Sequence, residues 1–231
     1  MEDARILWSI DEVATPSDRT AMDRELRAGE HPFAFYAKHD HGTDSPEFFW
    51  GADLMVQGES RYGGLARDSG RQVPATLEEL SEEGVVRGVW DRIAAMFSPA
   101  QFQVHGVFLN GQSHGQDGEI HRDWESPGEG FTFVVFMNTT WESSWQGEAV
   151  FYDESHTAIR WSVIPEPGRL VVFDGSIPHW GRAPARRYTG LRLTLAYHTT
   201  LAPGSAFPEP GALTLDRSMI LQCAPDSGAW T

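Results

Sequence analysis

The sequence predicts a mainly β fold, an antiparallel sandwich or barrel buttressed by a few N-terminal helices. Three observations carry that prediction. Six strand-like segments crowd together after residue 100, at 102–109, 131–137, 148–152, 159–164, 170–173 and 191–199. No helical period separates them, which argues against alternating β and α units. Glycine, proline and asparagine occupy the gaps, as turns require.

Taken in order, Thr15-Pro16-Ser17-Asp18 supplies a cap, a proline at the first helical position and an acid in the first turn. A helix should run from there to about Ala28 and end at Gly29. Segments 33–37 and 48–56 are strand-like. Thr76-Leu77-Glu78-Glu79 reads as a capping box, with Leu77, Leu80, Val86, Val89, Ile93 and Phe97 near helical spacing. That predicts one helix ended by Ser98-Pro99, with Gly84 and Gly88 as its weak points. The last strand alternates clearly: Leu191, Leu193, Leu195 and Tyr197 on one face, Arg192, Thr194, Ala196 and His198 on the other. An arginine opposite a row of leucines needs a reason. The Pro- and Gly-rich tail at 201–231 is a wrapping segment, a lid or a subunit contact.

Composition narrows the function. The 231 residues carry 18 Lys+Arg against 33 Asp+Glu, a net charge of −15, which disfavours a nucleic-acid partner. The lone Cys223 permits no intrachain disulfide and points to a reducing, cytoplasmic setting. No apolar run approaches a membrane span, and the charged start Met1-Glu2-Asp3 does not resemble a secretion signal. No repeat or linker divides the chain, so one domain is expected: 1–100 as support, 101–200 as the barrel core with the site, 201–231 as the tail.

The chemistry concentrates in Gly118-Glu119-Ile120-His121-Arg122-Asp123-Trp124, Ile177-Pro178-His179-Trp180 and Leu191-Arg192-Leu193-Thr194. His121 and Asp123 stand two apart, so on extended backbone they project to one side. With His179 from a later strand end they form two imidazoles and one carboxylate, the facial ligand set of non-haem Fe(II). Arg192 offers a fixed positive fork for a carboxylate.

These motifs, with Phe131–Asn138 and Trp141, Gln146-Gly147-Glu148-Ala149-Val150-Phe151 and Val163–Phe173, resemble the Fe(II)/2-oxoglutarate-dependent dioxygenases, in their prolyl 4-hydroxylase-like branch. The resemblance runs from about Gln103 to Thr200. It implies a double-stranded β-helix, or jelly-roll, fold. It also implies Fe(II) bound by His121, Asp123 and His179, and 2-oxoglutarate held by Arg192 and Thr194. O2 would be consumed, with succinate and CO2 released. The related halogenases replace the carboxylate with Gly or Ala, so Asp123 implies hydroxylation over halogenation, with desaturation, ring closure and epimerisation left open. Two departures stand out. His179 and Arg192 are farther apart than the family usually shows, which leaves Arg186 or Arg187 as other anchors. Phe136 replaces a tyrosine that helps hold the cosubstrate in several relatives, so that role would pass to Asn110 or Gln112.

The expected substrate is a small molecule or amino-acid derivative, as in natural-product tailoring. A prolyl or peptidyl hydroxylase is the runner-up, and a non-catalytic metal-binding or sensing barrel is the reading from another class. Monomer and homodimer both remain open. Trp124 and Trp180, which directly follow metal-ligand candidates, and Arg182 are the substrate-contact candidates. His39-Asp40-His41-Gly42-Thr43-Asp44 reads as a solvated loop, and Tyr62-Gly63-Gly64 as a turn without a phosphate-loop lysine. His114 belongs to a loop, and His105 and His198 read as hydrogen-bonded strand histidines.

Overall fold

The computed structural model describes residues 6–31, 33–38, 47–57 and 73–224. The His39–Asp44 and Tyr62–Gly64 stretches lie outside the described residues, as does the tail beyond 224. Two antiparallel sheets dominate. The larger is built from β1 (Leu7–Ile10), β2 (Ala34–Lys38), β3 (Glu47–Val56), β4 (Phe102–Gln112), β5 (Phe131–Phe136), β8 (Leu170–Asp174), β10 (Arg192–Leu201) and β11 (Leu221–Cys223). Its order is β11-β1-β8-β5-β10-β4-β3-β2. The smaller sheet has the order β7-β6-β9, from β6 (Ala149–Tyr152), β7 (Ile159–Val163) and β9 (His179–Gly181). The fold is the mainly β jelly-roll type that the sequence predicts, with two α-helices among the described residues, α1 (Pro16–Ala28) and α2 (Val85–Met96).

α1 forms where its caps predict. Asp18 N–H donates to Thr15 Oγ1 at 3.2 Å, Thr15 N–H donates to Asp18 Oδ2 at 2.7 Å, and Gly29 closes the helix at φ 70°. The second helix departs from expectation. Residues Leu77–Glu79 make only a 3-10 turn, and α2 starts at Val85 behind an extended Gly84. The carboxylate of Glu79 accepts from Ala75 N–H at 3.0 Å rather than from Thr76 N–H, and no side-chain cap forms at Thr76. Without that cap, the glycine breaks the periodic run into two pieces.

α2 buries Val86, Val89, Trp90 and Ile93 against the outer face of the large sheet, where Leu193, Leu195 and Tyr197 of β10 meet them. Trp90 stacks edge-on to Phe133 at 5.7 Å, and Tyr197 OH donates to Val86 O at 2.7 Å. The alternation of β10 therefore separates two environments: its leucines feed the helix-covered core, and its other face looks between the sheets. Three strands escaped the sequence pattern. β1 is buried at every position and so shows no alternation, while β9 and β11 span only three residues each. The tail wraps the molecule through residue 224: Phe207 packs on Trp8 at 5.0 Å and Phe131 at 4.6 Å before β11 pairs with β1.

One turn is sterically demanding. Gly168 sits at φ 84°, and a Cβ there would lie 2.2 Å from Ala14 O. Its carbonyl accepts from Ala14 N–H at 3.0 Å, tying the turn before β8 to the start of α1. Gly168→Ala is expected to cost about 2–4 kcal/mol through the left-handed backbone and the clash. Thermal melts should register this as a fall of roughly 5–15 °C.

Candidate functional site

His121 and His179 are brought together by backbone pairing. His121 N–H donates to His179 O and His179 N–H to His121 O, both at 3.0 Å, an isolated antiparallel bridge. Their rings face each other with centroids 4.4 Å apart. Each Nδ1 lies 2.9 Å from a backbone oxygen two residues earlier, Glu119 O and Ile177 O respectively. A carbonyl only accepts, so each Nδ1 carries a proton and each Nε2 is the ring nitrogen turned toward Asp123. Asp123 follows on a segment held by Gly175, whose carbonyl accepts from Asp123 N–H at 2.9 Å. Its side chain is 3% exposed and stands 3.4 Å from His179 Nε2 and 3.8 Å from His121 Nε2. One donor atom from each of the three residues falls within 4.8 Å of the others, a spacing that suits a single metal ion.

The carboxylate has further neighbours. Thr132 of β5 donates its hydroxyl to Asp123 Oδ2 at 2.8 Å. His198 Nε2 lies 3.6 Å from Asp123 Oδ1, and the His198 ring meets Phe108 at 4.9 Å. His198 is a strand histidine, as expected, and it borders the carboxylate on the cavity face that the β10 alternation assigns it. His105, in contrast, is satisfied by Gln57 Oε1 at 3.0 Å and Thr200 Oγ1 at 2.8 Å. His114 ties its loop to Pro184 O at 3.1 Å.

A cavity of about 150 Å³ opens between the sheets and is lined by His121, Asp123 and His179 at one end and Arg192 and Thr194 at the other. Val134, Phe151, Val171 and Phe173 supply apolar wall. Arg192 is only 4% exposed. Its Nε donates to Gly147 O at 2.6 Å, its Nη1 to Gln112 Oε1 at 2.9 Å, and the Phe136 ring covers it at 5.2 Å. Asn138 fixes the strand on both sides of it, through Leu191 O at 2.7 Å and Leu193 N–H at 2.8 Å. Burial pulls the guanidinium down to about 10, with Glu148 acting in the opposite direction, so it keeps its charge at neutral pH. A buried cation whose bonded partners are neutral is suited to an incoming anion.

Arg186 and Arg187 are exposed outside this cavity. Asn110 and Gln112, the two candidates for the missing tyrosine's role, both line it, and Gln112 also accepts from Arg192. Of the three substrate-contact candidates, Trp180 lines the cavity. Arg182 is exposed, with its guanidinium 5.3 Å over the Trp180 ring. Trp124 is turned away: it packs over Gly130 and Gly175, where a Cβ would approach its ring to 2.3 and 2.2 Å, and the cavity wall does not include it.

Residues 81–198 match the family described as the 2OG-Fe(II) oxygenase superfamily. The fold is similar to that of a prolyl hydroxylase from Trichoplax adhaerens, solved in complex with a hypoxia inducible factor oxygen degradation domain peptide fragment. That likeness has a TM-score of 0.52 at 14% identity, over 84% of this chain and 83% of that one. An oxidoreductase of the 2OG-Fe(II) oxygenase family from Burkholderia pseudomallei aligns at a TM-score of 0.47 and 13% identity, covering 81% of each chain. A Pseudomonas putida prolyl-4-hydroxylase aligns at 0.45 and 15% identity, over 84% of this chain and 92% of that one. No curated protein matches the chain.

Proposed function

The chain belongs to the 2OG-Fe(II) oxygenase superfamily and is a 2-oxoglutarate-dependent dioxygenase using Fe(II) and O2, and from that premise we propose that it hydroxylates an unactivated C–H bond of a small molecule or amino-acid derivative. The observation that carries this reading is the placement of His121, Asp123, His179 and Arg192 around one cavity of about 150 Å³. The ligand candidates and the cation thus share one cavity, as a dicarboxylate chelated at one end and ion-paired at the other requires. In this reading the whole chain acts as one oxygenase domain working in the cytoplasm, with natural-product tailoring as its setting.

His121, Asp123 and His179 are the residues that would hold iron, and the donor set fits: two imidazoles whose Nε2 atoms converge on one carboxylate. Bound there, iron supplies the dioxygen chemistry that couples oxidative decarboxylation of 2-oxoglutarate to C–H hydroxylation. One oxygen atom ends in succinate and the other in the product. The chain's own residues do the rest. Glu119 O and Ile177 O hold the two imidazoles in the required tautomer. Arg192 and Thr194 hold the far carboxylate of 2-oxoglutarate, and Phe136 keeps water off the guanidinium face. Trp180, on the cavity wall, and Arg182, over its ring, are the side chains we expect to meet the substrate.

Thr132 steadies the carboxylate from outside the ligand set. Thr132→Val keeps the shape and removes the 2.8 Å hydrogen bond to Asp123. Fe(II) affinity should fall by about 10–100-fold, the scale of outer-shell losses. Anaerobic calorimetric titration reads this directly, and unchanged affinity would remove Thr132 from the metal's support.

A peptidyl prolyl hydroxylase is the second reading, favoured by the fold likeness to a prolyl hydroxylase solved with a peptide. The deciding experiment incubates the protein with Fe(II), 2-oxoglutarate and O2. One panel holds free amino acids and small acids, the other proline-containing peptides. Succinate release with one oxygen atom added to a small compound supports the first reading. The same result on peptides alone moves the assignment to the second, and metal binding without succinate under either panel favours a sensing barrel.

A further inference from the structure

Gln112 sits at the C-terminal end of β4, 9% exposed, in the wall of the cavity. Its carboxamide makes three hydrogen bonds that leave no choice of orientation. Nε2 donates to Gly181 O at 2.8 Å and to Gln116 O at 3.1 Å, and both of these oxygens can only accept. Oε1 must therefore face Arg192, which can only donate, and it does so at 2.9 Å. The amide links the strand carrying Arg192 to β9, two residues past His179. It is a cross-brace between the two ends of the cavity.

This brace has a consequence for the anion. A guanidinium has five N–H donors, and Gly147 O and Gln112 Oε1 take one each, on Nε and Nη1. The remaining donors include both on Nη2. Gln112 is neutral, so it orients the cation without cancelling its charge. A free arginine would reach carboxylates over a range of depths by changing rotamer, whereas the braced one presents its fork at one distance from the histidine pair.

We propose that Gln112 is a positioning residue that fixes the depth of the Arg192 fork and so selects the chain length of the 2-oxo dicarboxylate bound in the cavity. This rests on the reading of Arg192 as the cosubstrate anchor. The neighbouring Phe136 ring closes the other side of the fork at 5.2 Å, so loss of the amide bond frees the guanidinium on the Gln112 side.

The test measures binding of three 2-oxo acids to the Mn(II)-loaded protein without O2, by tryptophan fluorescence: 2-oxoglutarate, the longer 2-oxoadipate, and pyruvate, which has no second carboxylate. Wild type is expected to prefer 2-oxoglutarate. In Gln112→Met its affinity should fall by about 10–100-fold, the scale of one hydrogen bond to a charged group. The preference over 2-oxoadipate should narrow and pyruvate binding should stay unchanged. An unaltered ratio of 2-oxoglutarate to 2-oxoadipate, or equal losses for all three acids, overturns the proposal. Wild type binding 2-oxoglutarate no better than pyruvate overturns the anchor reading itself, a separate failure. Should Gln112→Met not fold, Gln112→Asn carries the same comparison with a shorter amide.

Discussion

Arg192→Met is expected to abolish 2-oxoglutarate binding at working concentrations while leaving metal binding intact. The guanidinium is buried to 4% exposure and its bonded partners are a carbonyl and a neutral amide. A carboxylate seated on it gains about two hydrogen bonds to a charged group, each worth roughly 1.5–3 kcal/mol. Loss of both corresponds to about 10²–10⁴-fold in affinity. Methionine fills similar space beside Phe136 and carries no charge, so the fold should tolerate it; removing an unneutralised buried cation relieves a desolvation cost. A melting temperature at or above wild type, together with lost cosubstrate binding, is the expected pair of results. Arg192→Lys should rescue little, because a point charge lacks the fork that meets a carboxylate bidentately.

The second large effect is at His179. His179→Ala removes one of the two imidazole donors and the ring that packs on Phe173 at 4.5 Å and Phe151 at 6.1 Å. Outer-shell changes at metal sites cost about 10–100-fold in affinity, so loss of a ligand should exceed that range. Turnover should fall below detection. The backbone bridge to His121 needs no side chain and should survive, so the fold persists and near-UV circular dichroism stays close to wild type. Iron titration on the folded variant checks this, and retained tight binding would remove His179 from the ligand set.

Much of this architecture was legible in the sequence, and the reasons differ from element to element. The caps of α1 are local chemistry, and local chemistry decided that helix. β10 announced both its core face and its cavity face because a strand between a helix-covered layer and a cavity must alternate. The same alternation placed His198 beside Arg192, Thr194 and Ala196, yet reading that histidine alone hid its position next to Asp123. The capping signal at Thr76 misled, because a glutamate can reach the wrong backbone N–H and Gly84 then decides where the helix begins. Trp124 could not be placed, since its seat depends on two glycines from separate segments meeting in space. Gln112 was named as a substitute contact for Phe136, but only the fold shows that its partner is the arginine.

The central claim is that metal and cosubstrate share one site, with the cluster at one end and Arg192 at the other. The most direct measurement is an anaerobic titration of the metal-free protein with Fe(II) and then 2-oxoglutarate, following the weak visible charge-transfer band of the complex. A band is expected in wild type, none in His179→Ala, and one in Arg192→Met only at far higher 2-oxoglutarate. Wild type that binds Fe(II) but develops no band, or a band indifferent to both substitutions, would contradict that claim.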